Sequence, residues 1–190
     1  MADDTRHARE KVSAVKYCLI DTEIGTFGMG WTEKGVARVL LPDSKPGAIG
    51  QRMARYGSQS AAPEEEIAEI VADIQAYGRG ERIDFDEVPL DLGGQPEFNR
   101  RVFDDIAKLE WGETTTYGDI ARRLGDVALS RAVGAALGAN PVPLIVPCHR
   151  VLGSNGKAGG FSAPGGAGSK MKLLAMERAA SPEGQFSFGF

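Results

Sequence analysis

The chain has 190 residues, of which 42% are hydrophobic and 25% charged, and 22 Lys or Arg stand against 26 Asp or Glu. That is enough chain for one large or two small domains with a hydrophobic core, in an ordinary globular composition. No apolar run reaches the roughly 18 to 20 residues of a membrane span, and the opening MADDTRHAREK lacks the apolar stretch of a secretory signal.

The only cysteines are Cys18 and Cys148 and the only histidines His7 and His149. A disulfide framework is therefore not expected, and a reducing, cytoplasmic home fits better. The same four residues do not make a spaced zinc site, so no metal is expected. Charge is unevenly distributed. Residues 96–180 hold 11 Lys or Arg against 8 Asp or Glu, and the remainder 11 against 18. An acidic first part and a mildly basic second part able to approach phosphates follow from that imbalance.

Residues 1–14 read as a solvated tail. KYCLIDTEIG and TFGMGWTEKGVARVLLP predict short strands broken by glycine-bearing turns, an antiparallel meander. KPGAIGQRMARYG suits a short helix ending at Gly57. PEEEIAEIVADIQAYGRG is the clearest helix of the first half: Pro63 near its start, glutamates at the positive end of the dipole, and Gly78 to terminate it. Ile67, Ile70, Val71 and Ile74 form its inward stripe. VPLDLGGQP, residues 88–96, combines Pro and Gly and marks the boundary between two parts.

PEFNRRVFDDIAKLEW predicts a helix with Phe98, Val102, Phe103 and Ile106 on one face. TTTYGDIARRLG has threonines for an N-cap and Gly125 as a stop, and DVALSRAVGAALGAN gives a second short helix. Two such helices joined by a tight turn resemble a helix-turn-helix. Leu129, Val133, Ala136 and Leu137 form the apolar side of the second. Arg131, Gly134, Ala135 and Gly138 form another side, one arginine followed by almost no side chain. That face suits either close helix packing or approach to a large surface such as a narrow groove. In SKMKLLAMERAA, from Ser169, Glu177 shares the apolar side with Lys170, Leu173 and Leu174. A carboxylate there is costly unless hydrogen-bonded, which leaves a rim salt bridge or a partner for an imidazole.

VPLIVPCHRVLGSNGKAGGF places Cys148 beside His149. A free thiol is only a few per cent thiolate at neutral pH, and a histidine oriented by a carboxylate can take its proton. Cys148, His149 and Glu177 supply those three types. Neighbouring side chains diverge, so the proton is expected to pass through a water. Pro147 restricts the backbone before the nucleophile. A buried inert cysteine and a satisfied histidine remain the plain alternative. A papain-like hydrolase lacks its C-G-[SA]-C-[WY] signature and a second histidine outside the tail.

The run RAVGAALGANPVPLIVPCHRVLGSNGKAGGFS closely resembles the signature of the O6-alkylguanine-DNA alkyltransferases, or methylated-DNA–protein-cysteine methyltransferases, with good resemblance from Pro96 to Ala179. It implies an α+β fold: a small ribonuclease H-like α/β domain over 15–92 and a mainly helical, winged-helix-like domain with a helix-turn-helix over 93–180, followed by a tail, 181–190. It also implies repair of DNA by direct, one-shot transfer of an alkyl group from O6 of guanine, or O4 of thymine, to Cys148, with the base flipped out of the duplex. The implied partner is double-stranded DNA carrying O6-alkylguanine, bound by a monomer without cofactor or membrane.

By the same resemblance, His149 held by Glu177 generates the thiolate and Asn140 braces the active-site turn. Tyr117 contacts the flipped nucleotide and assists the leaving guanine. Arg131 fills the space the base vacates, while Ala132, Gly134 and Ala135 lie against the minor groove. Ser162 hydrogen-bonds near O6, Val151 lines the pocket through its backbone, and Phe161 stands where some members carry a tyrosine. A lesion-binding module without transfer is the rival reading, and the thiol at position 148 argues against it.

Overall fold

Side-chain alternation in one strand sets the layering of the first half. Residues 15–177 are described in the computed structural model; the predicted tails 1–14 and 181–190, including FSFGF, lie outside them. Strands β1 (Lys16–Thr22), β2 (Gly25–Thr32) and β3 (Gly35–Leu40) form the predicted antiparallel meander, and a short β4 (Gln59–Ser60) adds in parallel beside β1, giving the order β3-β2-β1-β4. In β2, Phe27, Met29 and Trp31 point into the main core. The intervening Gly28 and Gly30 face the other way, where helix α1 (Ala48–Arg55) lies so close that a Cβ on Gly28 would meet Ile49 at 2.7 Å. Ile49 and Met53 make a small second core there with Leu40.

Helix α2 (Glu65–Gly78) covers the opposite side through Ile67, Ile70, Ile74 and Tyr77. As expected, Gly78 is the last residue of this helix, and its backbone packs against β1, where a Cβ would sit 2.6 Å from Thr22. The left-handed residue is Gly80, with φ 81°, and the N–H groups of Gly80 and Glu81 close the helix end on Tyr77 and Ala76.

The Pro/Gly segment 88–96 does not swing free of the sheet. Val36 N–H donates to Pro89 O at 2.8 Å and Asp91 N–H to Val36 O at 2.9 Å, so the segment straps the edge of β3. Beyond it come α3 (Glu97–Ile106), β5 (Thr115–Thr116), α4 (Tyr117–Arg123), a 3-10 turn (Val127–Leu129) and α5 (Ser130–Gly138). Thr116 caps α4 by accepting from Asp119 N–H, and Gly125 follows at φ 116°. Helix α3 buries Val102, Phe103 and Ile106, each worth roughly 1.5–3 kcal/mol on burial. Strand β6 (Val151–Leu152) pairs in parallel with β5. Helix α6 (Gly166–Met176) starts three residues before the predicted Ser169, because Gly165 adopts φ 81° and Ser169 Oγ turns back to donate to Pro164 O.

The two halves share one core: Phe27, Ile74 and Phe85 belong to the same buried cluster as Phe103, Val133 and Leu173. Among the described residues no helix is long and apolar enough to cross a membrane.

Candidate active site

The segment between α5 and β6 is held in an unusual path. Asn140 Nδ2 donates to Val146 O at 2.9 Å, and Asn140 Oδ1 accepts from Val142 N–H at 3.0 Å, so one side chain closes the loop over 140–146. Leu144 inside that loop has φ 84°, the one positive φ outside glycine among the described residues. Pro147, at φ −80° and ψ 61°, is the centre of an inverse γ-turn closed by Cys148 N–H to Val146 O at 2.8 Å. Proline fixes that φ without needing a donor. Residues Cys148–Arg150 then make a single 3-10 turn.

In a 3-10 turn consecutive side chains point about 120° apart. Cys148, His149 and Arg150 therefore serve three directions. Cys148, 6% exposed, opens on a cavity, while His149 is fully buried and reaches Glu177 with Nε2···Oε1 at 2.8 Å. Arg150 donates from Nε to Glu177 Oε2 at 2.8 Å, from Nη2 to Oε1 at 3.1 Å, and from Nη1 to Leu109 O at 2.6 Å.

Electrostatics assign the protonation states. Burial alone would push the Glu177 carboxyl up, but the hydrogen bonds and charges of His149 and Arg150 outweigh it and bring it down to about 2. An anionic Glu177 only accepts, so it takes the Nε2 proton and leaves the lone pair on Nδ1. That Nδ1 is buried and has no hydrogen-bond partner among the described residues. Burial holds His149 below its ordinary value against the pull of Glu177, so the imidazole is neutral and basic at Nδ1. Burial also raises the Cys148 thiol, opposed by the side chain of Asn140 and the charge of Lys170. The resting group is a thiol.

Tyr117, Ser130, Gly134, Leu137, Gly138, Gly160, Phe161 and Ser162 line the cavity in front of Cys148, which measures about 590 Å³. Burial, then the charge of Cys148, raises the Tyr117 phenol, which stays protonated. The structure thus gathers Tyr117, Gly134, Phe161 and Ser162 around Cys148, and sets Asn140, His149 and Glu177 behind it. Arg131, Ala132 and Ala135 stand exposed on α5, whose Val133, Ala136 and Leu137 are buried. Val151 is placed differently from the rest: it is fully buried outside the cavity wall, and its carbonyl accepts from Lys170 Nζ at 2.5 Å. A larger cavity of about 880 Å³ in the first half is lined by acidic side chains such as Glu33, Glu66, Asp73 and Glu87, and holds no Cys or His.

Comparison with known proteins fits this arrangement. The sequence model of the family described as 6-O-methylguanine DNA methyltransferase, DNA binding domain, matches residues 97–179. A methylated-DNA–protein-cysteine methyltransferase of Methanothermobacter thermautotrophicus is 37% identical over 158 residues, 83% of this chain and 82% of the relative. That of Mycolicibacterium paratuberculosis is 46% identical over 116 residues, 61% of this chain and 68% of the relative. The chain belongs to the methylated-DNA–protein-cysteine methyltransferase family.

The methyltransferase fold agrees as well. A crystal structure of the Mycobacterium tuberculosis O6-methylguanine methyltransferase superposes with a TM-score of 0.71 at 33% identity, covering 86% of this chain and 93% of the other. The Mycobacterium tuberculosis OGT in complex with DNA gives 0.71 at 34%, covering 87% and 95%. For a methyltransferase of this family, sequence pattern left out three side chains of the site. Arg150 completes the Glu177 bridge. Lys170, fully buried, lies 5.8 Å from the Tyr117 ring and 5.9 Å from that of Phe161. Tyr77 donates to Glu177 Oε1 at 3.0 Å from α2. Lys170 did carry a signal, a lysine on the apolar side of its helix.

Proposed function

We propose that this protein repairs DNA by moving an alkyl group from O6 of guanine to Cys148, once per molecule. The supporting observation is a cysteine that opens on a cavity with room for a base while the neighbouring histidine presents an unpartnered Nδ1 and leans on a buried carboxylate. Through a bridging water the thiol proton passes to His149 Nδ1, and Glu177 stabilises the imidazolium formed. The thiolate attacks the alkyl carbon in line, the S–C bond forms and the C–O6 bond breaks. Tyr117 donates to the leaving guanine, and the proton taken from the thiol finally restores neutral guanine. The product thioether is stable, so the step is stoichiometric and needs no cofactor.

The base reaches the cavity by flipping from the duplex. Helices α4 and α5 act as a helix-turn-helix, with Ala132, Gly134 and Ala135 against the minor groove and Arg131 in the space the base leaves. Ser162 hydrogen-bonds near O6, Phe161 closes the cavity, Val151 holds Lys170 through its carbonyl, and Asn140 keeps the Cys148 turn in place. Residues 15–92 form a ribonuclease H-like domain and 93–180 the DNA-binding and acceptor domain of a monomer working in the cytoplasm.

Incubation with duplex DNA containing O6-methylguanine, followed by peptide mass analysis, tests the reading. The Cys148 peptide is expected to gain one methyl group as the lesion disappears; an unmodified peptide with a persistent lesion overturns it. Cys148→Ser is expected to bind DNA and leave the lesion intact. Arg131→Ala is expected to slow repair of duplex more than reaction with free base, and equal effects would remove the assignment of Arg131.

A further inference from the structure

Glu177 follows the last turn of α6, where the negative end of the helix dipole disfavours a carboxylate. It is 2% exposed and survives there on its donors. Oε2 takes Arg150 Nε. Oε1 takes three: His149 Nε2 at 2.8 Å, Arg150 Nη2 at 3.1 Å, and the hydroxyl of Tyr77 at 3.0 Å. The last comes from the other half of the chain, 100 residues earlier in sequence.

Tyr77 is built to deliver that hydroxyl. It lies one residue from the end of α2, continues the stripe of Ile70 and Ile74, and is fully buried. Trp111 packs edge-on against its ring at 5.4 Å and 69°, and Phe85 at 6.1 Å and 47°. Two aromatic neighbours leave the ring little freedom to turn its hydroxyl elsewhere. Burial, then the charge of Glu177, drives the phenol far above its ordinary value, so Tyr77 remains a donor throughout the reaction.

We propose that Tyr77 is a positioning residue for the alkyl transfer: its hydroxyl pins Glu177 Oε1 and shares that oxygen with His149. The inference rests on the reading of Cys148 as alkyl acceptor. Sharing has a direction. Each donor on Oε1 disperses carboxylate charge that would otherwise stabilise the imidazolium, so Tyr77 restrains the basicity of His149. The groups facing this pair are Arg150 on the same turn, Lys170 from α6 and Tyr77 itself.

The test is the pH dependence of single-turnover methyl transfer to Cys148 from duplex O6-methylguanine. Tyr77→Phe keeps the ring and removes the hydroxyl. The midpoint of the acid limb is expected to rise by about half a pH unit, a roughly threefold lower rate on that limb, with lesion-DNA affinity unchanged. Site-specific 3,5-difluorotyrosine at position 77, a stronger donor of nearly the same shape, is expected to move the midpoint the other way. It also serves if the phenylalanine variant does not fold. Transfer by every form with one unmoved midpoint overturns the role of Tyr77 alone. A lower melting temperature with no midpoint shift does the same, since it marks a packing role. No transfer by the unmodified protein removes the proposed function, and this inference with it.

Discussion

Replacing Lys170 by methionine separates what a buried ammonium costs the fold from what it contributes to the thiol. The side chain is fully buried and donates a hydrogen bond to Val151 O. Burial, only partly offset by Cys148, lowers its pKa from 10.5 to about 8. At 1.36 kcal/mol per pH unit this is roughly 3 kcal/mol against folding whenever the amine is charged in both states. The folded value is the lower one, so between about pH 8 and 10.5 the unfolded chain binds more protons and stability rises with pH. Methionine removes that penalty but leaves Val151 O without its donor, at a cost of about 1–3 kcal/mol. At neutral pH the variant is therefore expected to be about as stable as the parent or up to roughly 2 kcal/mol more so. Near pH 10.5 it is expected to be less stable by about 1–3 kcal/mol. Urea unfolding of both proteins across this range measures the difference. The transfer rate at neutral pH should meanwhile fall at least about tenfold, because the thiolate loses the stabilising charge of Lys170. A stability difference constant with pH would refute the account of Lys170 as a charged, buried group.

Glu177→Gln tests the carboxylate in the same way. Its folded value of about 2 lies below the ordinary 4.5, so its contribution is present above pH 4.5 and lost as pH falls toward 2. Acid unfolding of the parent should show roughly 3 kcal/mol of pH-dependent stability in that window that the glutamine variant lacks. Asn140→Ala removes both bonds that close the 140–146 loop, and denaturant unfolding should show a loss of about 2–4 kcal/mol together with slower transfer. Gly78→Ala drives a Cβ to 2.6 Å from Thr22 and should cost about 1–3 kcal/mol. Gly138→Ala meets nothing within 4 Å, so its melting temperature should hold or rise, while a slower reaction with duplex than with free base would place that face against DNA.

Periodicity made the elements legible where burial is one-sided. The alternation in β2 and the stripes of α2, α3 and α5 are visible because one face of each meets the core. Where a contact is made by backbone alone, no such pattern exists. The strap formed by Pro89 and Asp91 on Val36 uses only main-chain groups, so its Pro and Gly content reads as a free boundary although it is fastened. The same holds at the end of α2. Sequence marks Gly78 as the stop, but not the close approach of its backbone to Thr22 in a different strand or the left-handed turn at Gly80.

The site follows the same division, and it explains why the histidine is legible and its full environment is not. Glu177 could be paired with His149 because a carboxylate on an apolar helix face demands a donor, and the PCHR motif offered one. The demand is larger than one donor can meet. A buried carboxylate has about four lone-pair sites, and here four donor atoms approach it: His149 Nε2, Arg150 Nη2 and the Tyr77 hydroxyl on Oε1, and Arg150 Nε on Oε2. Arg150 hides in the motif because a 3-10 turn obeys neither helical nor strand spacing. Tyr77 hides because its apolar ring already accounts for its place in the α2 stripe, leaving the hydroxyl unquestioned. Counting the acceptor sites of Glu177 against the donors known from sequence would have exposed the deficit. It would not have named the donor, since only the folded chain brings α2 against the end of α6.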